Sequence, residues 1–107
     1  MKRAAAPWGL VFVPLLFAVM CLPMALELIE PNGFYGVRIA ATRASEAEWY
    51  RINRIAGIAG VIVGLIGFAA NLLIARSGMA MPRKHLACLA VLIGVTVLIV
   101  AAALVAA

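Results

Sequence analysis

Residues 55–75 read I-A-G-I-A-G-V-I-V-G-L-I-G-F-A-A-N-L-L-I-A, with no charged side chain among them. At about 1.5 Å of rise per residue such a helix reaches roughly 30 Å, the thickness of a bilayer's hydrocarbon core. Its glycines at Gly57, Gly60, Gly64 and Gly67 fall within an arc of roughly 80° on that helix. Lipid tails are as apolar as leucine, so helices in a membrane associate through close approach at small residues. The glycine face is therefore expected to pack tightly on a neighbour. Ala87, Ala90, Gly94 and Ala101 offer a matching small-residue face, and a second copy of the chain is the other partner this pattern allows.

Two further apolar runs flank this one. Trp8 to Leu26 is uncharged and extends to Ile29 if Glu27 lies at the membrane interface, and Leu86 to Ala107 is uncharged throughout. The whole chain of 107 residues is 67% hydrophobic and 12% charged, whereas soluble domains hold about 45–50% and about 25%. A soluble enzyme, a disordered tail and a disulfide scaffold are excluded. The expected architecture is all-α: one integral membrane domain over residues 1–107, with spans at about 8–29, 55–75 and 86–107. A structured polar connection, 30–54, joins the first two spans and includes the interfacial start of the second helix. The first run is too long for a signal peptide and lacks a cleavage site, so it is read as a retained helix. Pro14 and Pro23 each remove a backbone donor from it, which predicts a kinked helix whose freed carbonyls find partners on a neighbour. Cys21 and Cys88 lie at depths roughly 15 Å apart at 1.5 Å per residue, too far for a disulfide.

Charge placement says more than the net +5. The four acids all lie in residues 27–54, where four arginines balance them, and the excess comes from Lys2, Arg3, Arg76, Arg83 and Lys84. Basic residues at the edges of apolar runs form a membrane pattern and not a nucleic-acid surface. Three crossings place the N-terminus and 76–85 on one side of the membrane. Lys/Arg counting sets that side as cytoplasmic in a multi-pass protein of the cell membrane. His85 is the one histidine and has no clustered ligands, so no metal and no cofactor is expected.

The chemistry is concentrated in 27–54, E-L-I-E-P-N-G-F-Y-G-V-R-I-A-A-T-R-A-S-E-A-E-W-Y-R-I-N-R. Pro31-Asn32-Gly33 reads as the turn that ends helix one, and Gly36 as a second reversal. Ser45 and Glu48 form a capping-box pattern that starts the next helix near Glu46. Trp49 and Tyr50 are then placed at headgroup level. Glu27 and Glu30, three apart, share the C-terminal face of helix one, where the macrodipole disfavours them. They require counter-charges, for which Arg38, Arg51 and Arg54 are nearest. The cluster reads either as a structural clasp or as a polar cup for a peptide, ion or headgroup.

In this window the chain resembles the SdpI-like family of small bacterial membrane proteins. The matching residues are Pro31-Asn32, Tyr35-Gly36-Val37-Arg38, Thr42, Ser45, Trp49, Asn53-Arg54 and Gly57. The chain departs from the family pattern in being short, with a single copy of the motif-bearing unit, and in showing Ala40-Ala41 at a more polar stretch. The resemblance implies an immunity-type membrane protein whose namesake protects a cell from its own secreted killing peptide and also holds a repressor at the membrane. The expected function is to bind a membrane-active toxin peptide, or to mask its target, and in addition to signal. The expected binding residues are Glu27, Glu30, Asn32, Tyr35, Arg38, Trp49, Asn53 and Arg54. The bilayer, a toxin peptide and a second copy are the expected partners, and nucleic acid is not. Two other readings compete: an oligomeric transporter or channel subunit that uses Glu27 and Glu30 as coupling carboxylates, and a membrane enzyme acting on lipid. No nucleophile-base set or phosphate loop supports the enzyme.

Overall fold

The computed structural model describes residues 5–107. Lys2 and Arg3, which contribute to the orientation reading, lie outside the described residues. The elements are α1 (Trp8–Ala25), α2 (Ala40–Arg43), α3 (Glu46–Arg76) and α4 (Met81–Ala106). The fold is all-α, and α1, α3 and α4 are each long and apolar enough to cross a membrane. At 31 residues, α3 runs about 46 Å at 1.5 Å per residue, well beyond a hydrocarbon core of about 30 Å. Its polar first turns therefore stand clear of the apolar slab.

Helix α3 is the centre of the bundle. Both α1 and α4 lie along it and touch each other little. Its buried face runs Trp49, Ile52, Asn53, Ala56, Gly57, Gly60, Gly64, Gly67, Asn71 and Ala75, and α1 answers with Val11, Pro14, Ala18, Cys21 and Met24. Both sets recur every three or four residues, as one face of a helix must. Large side chains such as Leu16, Val19, Ile62, Ile66, Leu73, Leu86, Ile93 and Leu104 point outward. Small residues inside and large apolar ones outside is the packing expected where lipid is the solvent.

The glycine face packs as expected, but chiefly on a different neighbour. Cβ atoms at Gly57 and Gly64 would meet the α1 backbone, at 2.8 Å from the Cys21 carbonyl and 2.7 Å from the Pro14 carbonyl. Gly60 faces the Cys21 side chain, and only Gly67 looks mainly toward α4, at Val95. The proposed α4 surface is largely unused: Ala90, Gly94 and Ala101 are exposed, and nothing lies within 4 Å of a Cβ at Gly94. The physical reason is the small-residue series Pro14, Ala18 and Cys21 on α1, which fits the groove more closely.

The carbonyl freed by Pro14 acquires a partner of the expected kind; among the described residues the one freed by Pro23, at Val19, does not, and the bond nearby falls on the next carbonyl, Met20. Pro14 cannot donate to the Leu10 carbonyl, and the buried Asn71 amide of α3 does so instead, at 3.2 Å. Near the Pro23 break, the Tyr35 hydroxyl donates to the Met20 carbonyl. Helix α1 ends earlier than the span to Ile29 expected from sequence. Glu27 takes a left-handed conformation, φ 58°, while its N–H donates to the Met24 carbonyl at 3.1 Å and that of Leu28 to the Pro23 carbonyl at 2.9 Å. This is a Schellman closure with a glutamate where glycine usually stands. It corrects the expectation that Glu27 and Glu30 share one helical face: neither is in the helix.

Two cations tie the ends of the bundle. Lys84 is 2% exposed, and its Nζ donates to the Ala5 carbonyl at 2.7 Å and the Ala75 carbonyl at 2.8 Å. At the opposite end an Arg51 Nη2 donates to the Ala106 carbonyl at 2.6 Å. Each cation meets one carbonyl at a helix C-terminus, Ala75 of α3 for Lys84 and Ala106 of α4 for Arg51, where positive charge is favoured. Cys21 and Cys88 are both free and buried, in separate apolar clusters.

Candidate functional site

The connection between α1 and α3 is fixed by side chains bonding to backbone. Asn32 Oδ1 accepts from the N–H groups of Phe34 (2.8 Å) and Tyr35 (2.7 Å). Its Nδ2 donates to the carbonyls of Glu30 (2.7 Å) and Tyr35 (3.1 Å). Such Asx geometry replaces a backbone ladder where the chain turns too sharply to form one. Gly36 follows at φ 102°, and a Cβ there would lie 2.7 Å from Asn53 Oδ1. Glycine is needed at 36 both for the left-handed backbone and for that approach.

Asn53, 2% exposed on α3, holds the next residue from below. Its Oδ1 accepts from the Val37 N–H at 2.6 Å, and its Nδ2 donates to the carbonyls of Trp49 (2.9 Å) and Val37 (3.3 Å). Trp49, also 2% exposed, donates its indole N–H to the Ile29 carbonyl at 2.9 Å. It therefore sits beneath the connection and ties the exit of α1 to α3, with its ring covered by the protein. Thr42 is buried, and its hydroxyl both accepts from the Ile39 N–H and donates to the Ile39 carbonyl, each at 2.9 Å, fixing the start of α2. Burial, and secondarily neighbouring Cys21, pushes the Tyr35 phenol pKa up. The hydroxyl thus remains the donor to Met20 at neutral pH.

These fixed points enclose a polar pocket of about 350 Å³ lined by Pro31, Asn32, Arg38, Thr42, Arg43, Ser45, Glu46 and Trp49. Among the described residues, neither Arg38 nor Arg43 has a carboxylate within ion-pair distance. On the far side of the same connection lies an apolar cleft of about 290 Å³ between α1 and α4, lined in part by Phe17, Met20, Phe34, Tyr35 and Ile99. Residues 31–38 thus form a wall with a polar face and an apolar face.

The expected site residues divide accordingly. Asn32, Arg38 and Trp49 line the polar pocket, Tyr35 lines the apolar cleft, and Asn53 supports the wall between them. Glu27 and Arg54 meet at 3.5 Å, each about half exposed, as the charge argument required. Glu30 and Arg51 depart from that pairing. Glu30 is exposed and in no ion pair among the described residues. Arg51 is committed to Glu48 through Nε at 3.0 Å and Nη2 at 2.7 Å. With Arg51 three residues after Glu48, the fork closes within one helical turn before any loop acid can reach it. Ser45 does cap α3, accepting from the Glu48 N–H at 3.1 Å, while the Glu48 carboxylate turns to Arg51 and not back to the cap. Arg43 and Glu46 were not among the expected site residues. Their signal was the short polar stretch 42–46, which joins α2 to α3 and shares the pocket with Pro31 and Asn32. The chain has no group of three His, Cys, Asp or Glu residues able to hold a metal among the described residues.

Searches of curated proteins and of solved structures find no match to the chain. The SdpI/YfhL protein family does match, over residues 29–107. That range takes in the wall, the polar pocket, α3 and α4, and begins just after the Schellman closure of α1. With the larger part of its length matched and three membrane-crossing helices, the chain belongs to the SdpI/YfhL protein family and is a multi-pass membrane protein.

Proposed function

We propose that this protein is an immunity-type member of its family, which binds a membrane-active toxin peptide, or masks that peptide's target, at the 27–54 cup. The reading rests above all on Arg38 and Arg43 lining a preformed polar pocket without either being in ion-pair contact with a carboxylate among the described residues, Glu46 being the one acid beside them in that lining. Arg51, by contrast, is held by Glu48 and the Ala106 carbonyl and is not free to meet a ligand. The adjoining apolar cleft gives an amphipathic peptide a second surface within one wall's thickness. With the N-terminus on the cytoplasmic side of a bacterial cell membrane, both would face the medium from which a secreted peptide arrives. Signalling through a tethered repressor has no corresponding feature among the described residues. Glu27 and Glu30 lie outside the spans and line neither cavity, so coupled transport and lipid chemistry draw no support from them.

The test is survival of cells expressing the chain under challenge by a panel of membrane-active peptides. The wild-type chain is expected to protect against at least one of them, and Arg38→Ala with Arg43→Ala to abolish that protection at equal membrane abundance. Full protection by the well-expressed double variant would end this reading of the cup.

A further inference from the structure

We infer that the group recognised in the polar pocket is a single carboxylate of an acidic peptide, received between the guanidinium groups of Arg38 and Arg43. This deepens the proposal above and rests on it. Three observations select that chemistry. First, the pocket's charged lining is Arg38, Arg43 and Glu46, a net charge of +1. A monoanion neutralises that set, whereas a phosphate dianion would overcharge it and face Glu46. Guanidinium forks match a planar carboxylate geometrically, with two parallel N–H donors to two oxygens. Second, the pocket is positioned for a ligand from water. Glu46 precedes Ile55, the first residue of the uncharged stretch, by nine helical positions. At about 1.5 Å each this is about 14 Å above the hydrocarbon edge, while a headgroup layer adds only about 5–8 Å per side. Third, the remaining polar lining neither adds charge nor competes for the ligand: the Thr42 hydroxyl donates to Ile39 and the Asn32 amide to the turn, so recognition falls to the two arginines. The positive end of the α3 dipole adds to the field of the two arginines.

The full chain in phosphatidylcholine nanodiscs, carrying Trp8→Phe so that Trp49 is the sole tryptophan, provides the measurement. Its fluorescence is titrated with two synthetic hexapeptides, amidated at the C-terminus and differing only in one Glu against Gln. The Glu peptide is expected to bind at least about tenfold more tightly. That preference should vanish in Arg38→Gln and in Arg43→Gln, and shrink as salt rises. Equal binding of the two peptides, or a preference that survives both arginine variants, would overturn the inference. A response to phosphatidylglycerol in the nanodisc, with no Glu preference, would assign the pocket to a lipid headgroup and likewise overturn it. If the peptide preference is missing while Arg38→Ala with Arg43→Ala still abolishes protection, the carboxylate inference fails and the immunity reading stands.

Discussion

Gly57→Leu is expected to separate α1 from α3. A Cβ at this position would lie 2.8 Å from the Cys21 carbonyl and 2.9 Å from Ala25 Cα. Both are backbone atoms, which cannot swing aside as a side-chain tip can. Overpacking a tight interface costs about 1–3 kcal/mol and more where the opposing atoms are rigid; for a whole leucine at this crossing we expect at least 3 kcal/mol. The damage would extend to the site, because Gly57 meets α1 in its last turns, just below the Schellman closure that launches the wall. Gly94→Leu is the control. With nothing within 4 Å of its Cβ, it should change stability by less than about 0.5 kcal/mol, as exposed substitutions do. Thermal unfolding in detergent, followed by circular dichroism, reads both. Equal melting of the two variants would show that the glycine face is not the interface.

Asn53→Leu is expected to detach the wall while sparing the bundle. The substitution keeps a side chain of similar size but leaves the Val37 N–H without its acceptor and the Val37 carbonyl without a donor, while the Trp49 carbonyl keeps its helical partner. Each orphaned group that stays out of water costs about 1–3 kcal/mol. The wall should therefore give way and rehydrate, with a local loss of about 2–4 kcal/mol. Asn53→Asp should be milder, since it keeps the acceptor for Val37 and loses only the donor. Limited proteolysis between residues 29 and 45, in variants whose melting of α1, α3 and α4 is unchanged, checks the order wild type, Asp, Leu. A wall as resistant in the leucine variant as in the wild type would remove Asn53 from its supporting role.

How far the sequence could be read depended on whether the signal was local. The start of α3 was legible because Ser45 caps it through its own third residue, Glu48. The three spans were legible because length and the absence of charge are properties of continuous stretches. The close of α1 was not, since it turns on Glu27 accepting a left-handed backbone, which residue type argues against. The glycine face was visible but its partner was not: α1 and α4 both offer small residues at helical spacing, and only three-dimensional fit decides between them. The Glu27–Arg54 pair followed from charge balance, yet the capture of Arg51 by Glu48 depended on a shorter-range competitor one turn away. The buried Lys84 and its two carbonyl partners were hidden for a different reason. A lysine at a membrane edge normally reaches for headgroups, and its burial depends on where α3 ends beside it.

A preformed cup requires the wall over 31–38 to be a fixed part of the fold and not a flexible link. Amide hydrogen exchange of the full chain in nanodiscs measures this residue by residue. The Tyr35 and Val37 amides, bonded to Asn32 and Asn53, should exchange at least about a hundredfold more slowly than Gly33 at the exposed turn. Exchange of all three at one fast rate would mean that no preformed cup exists.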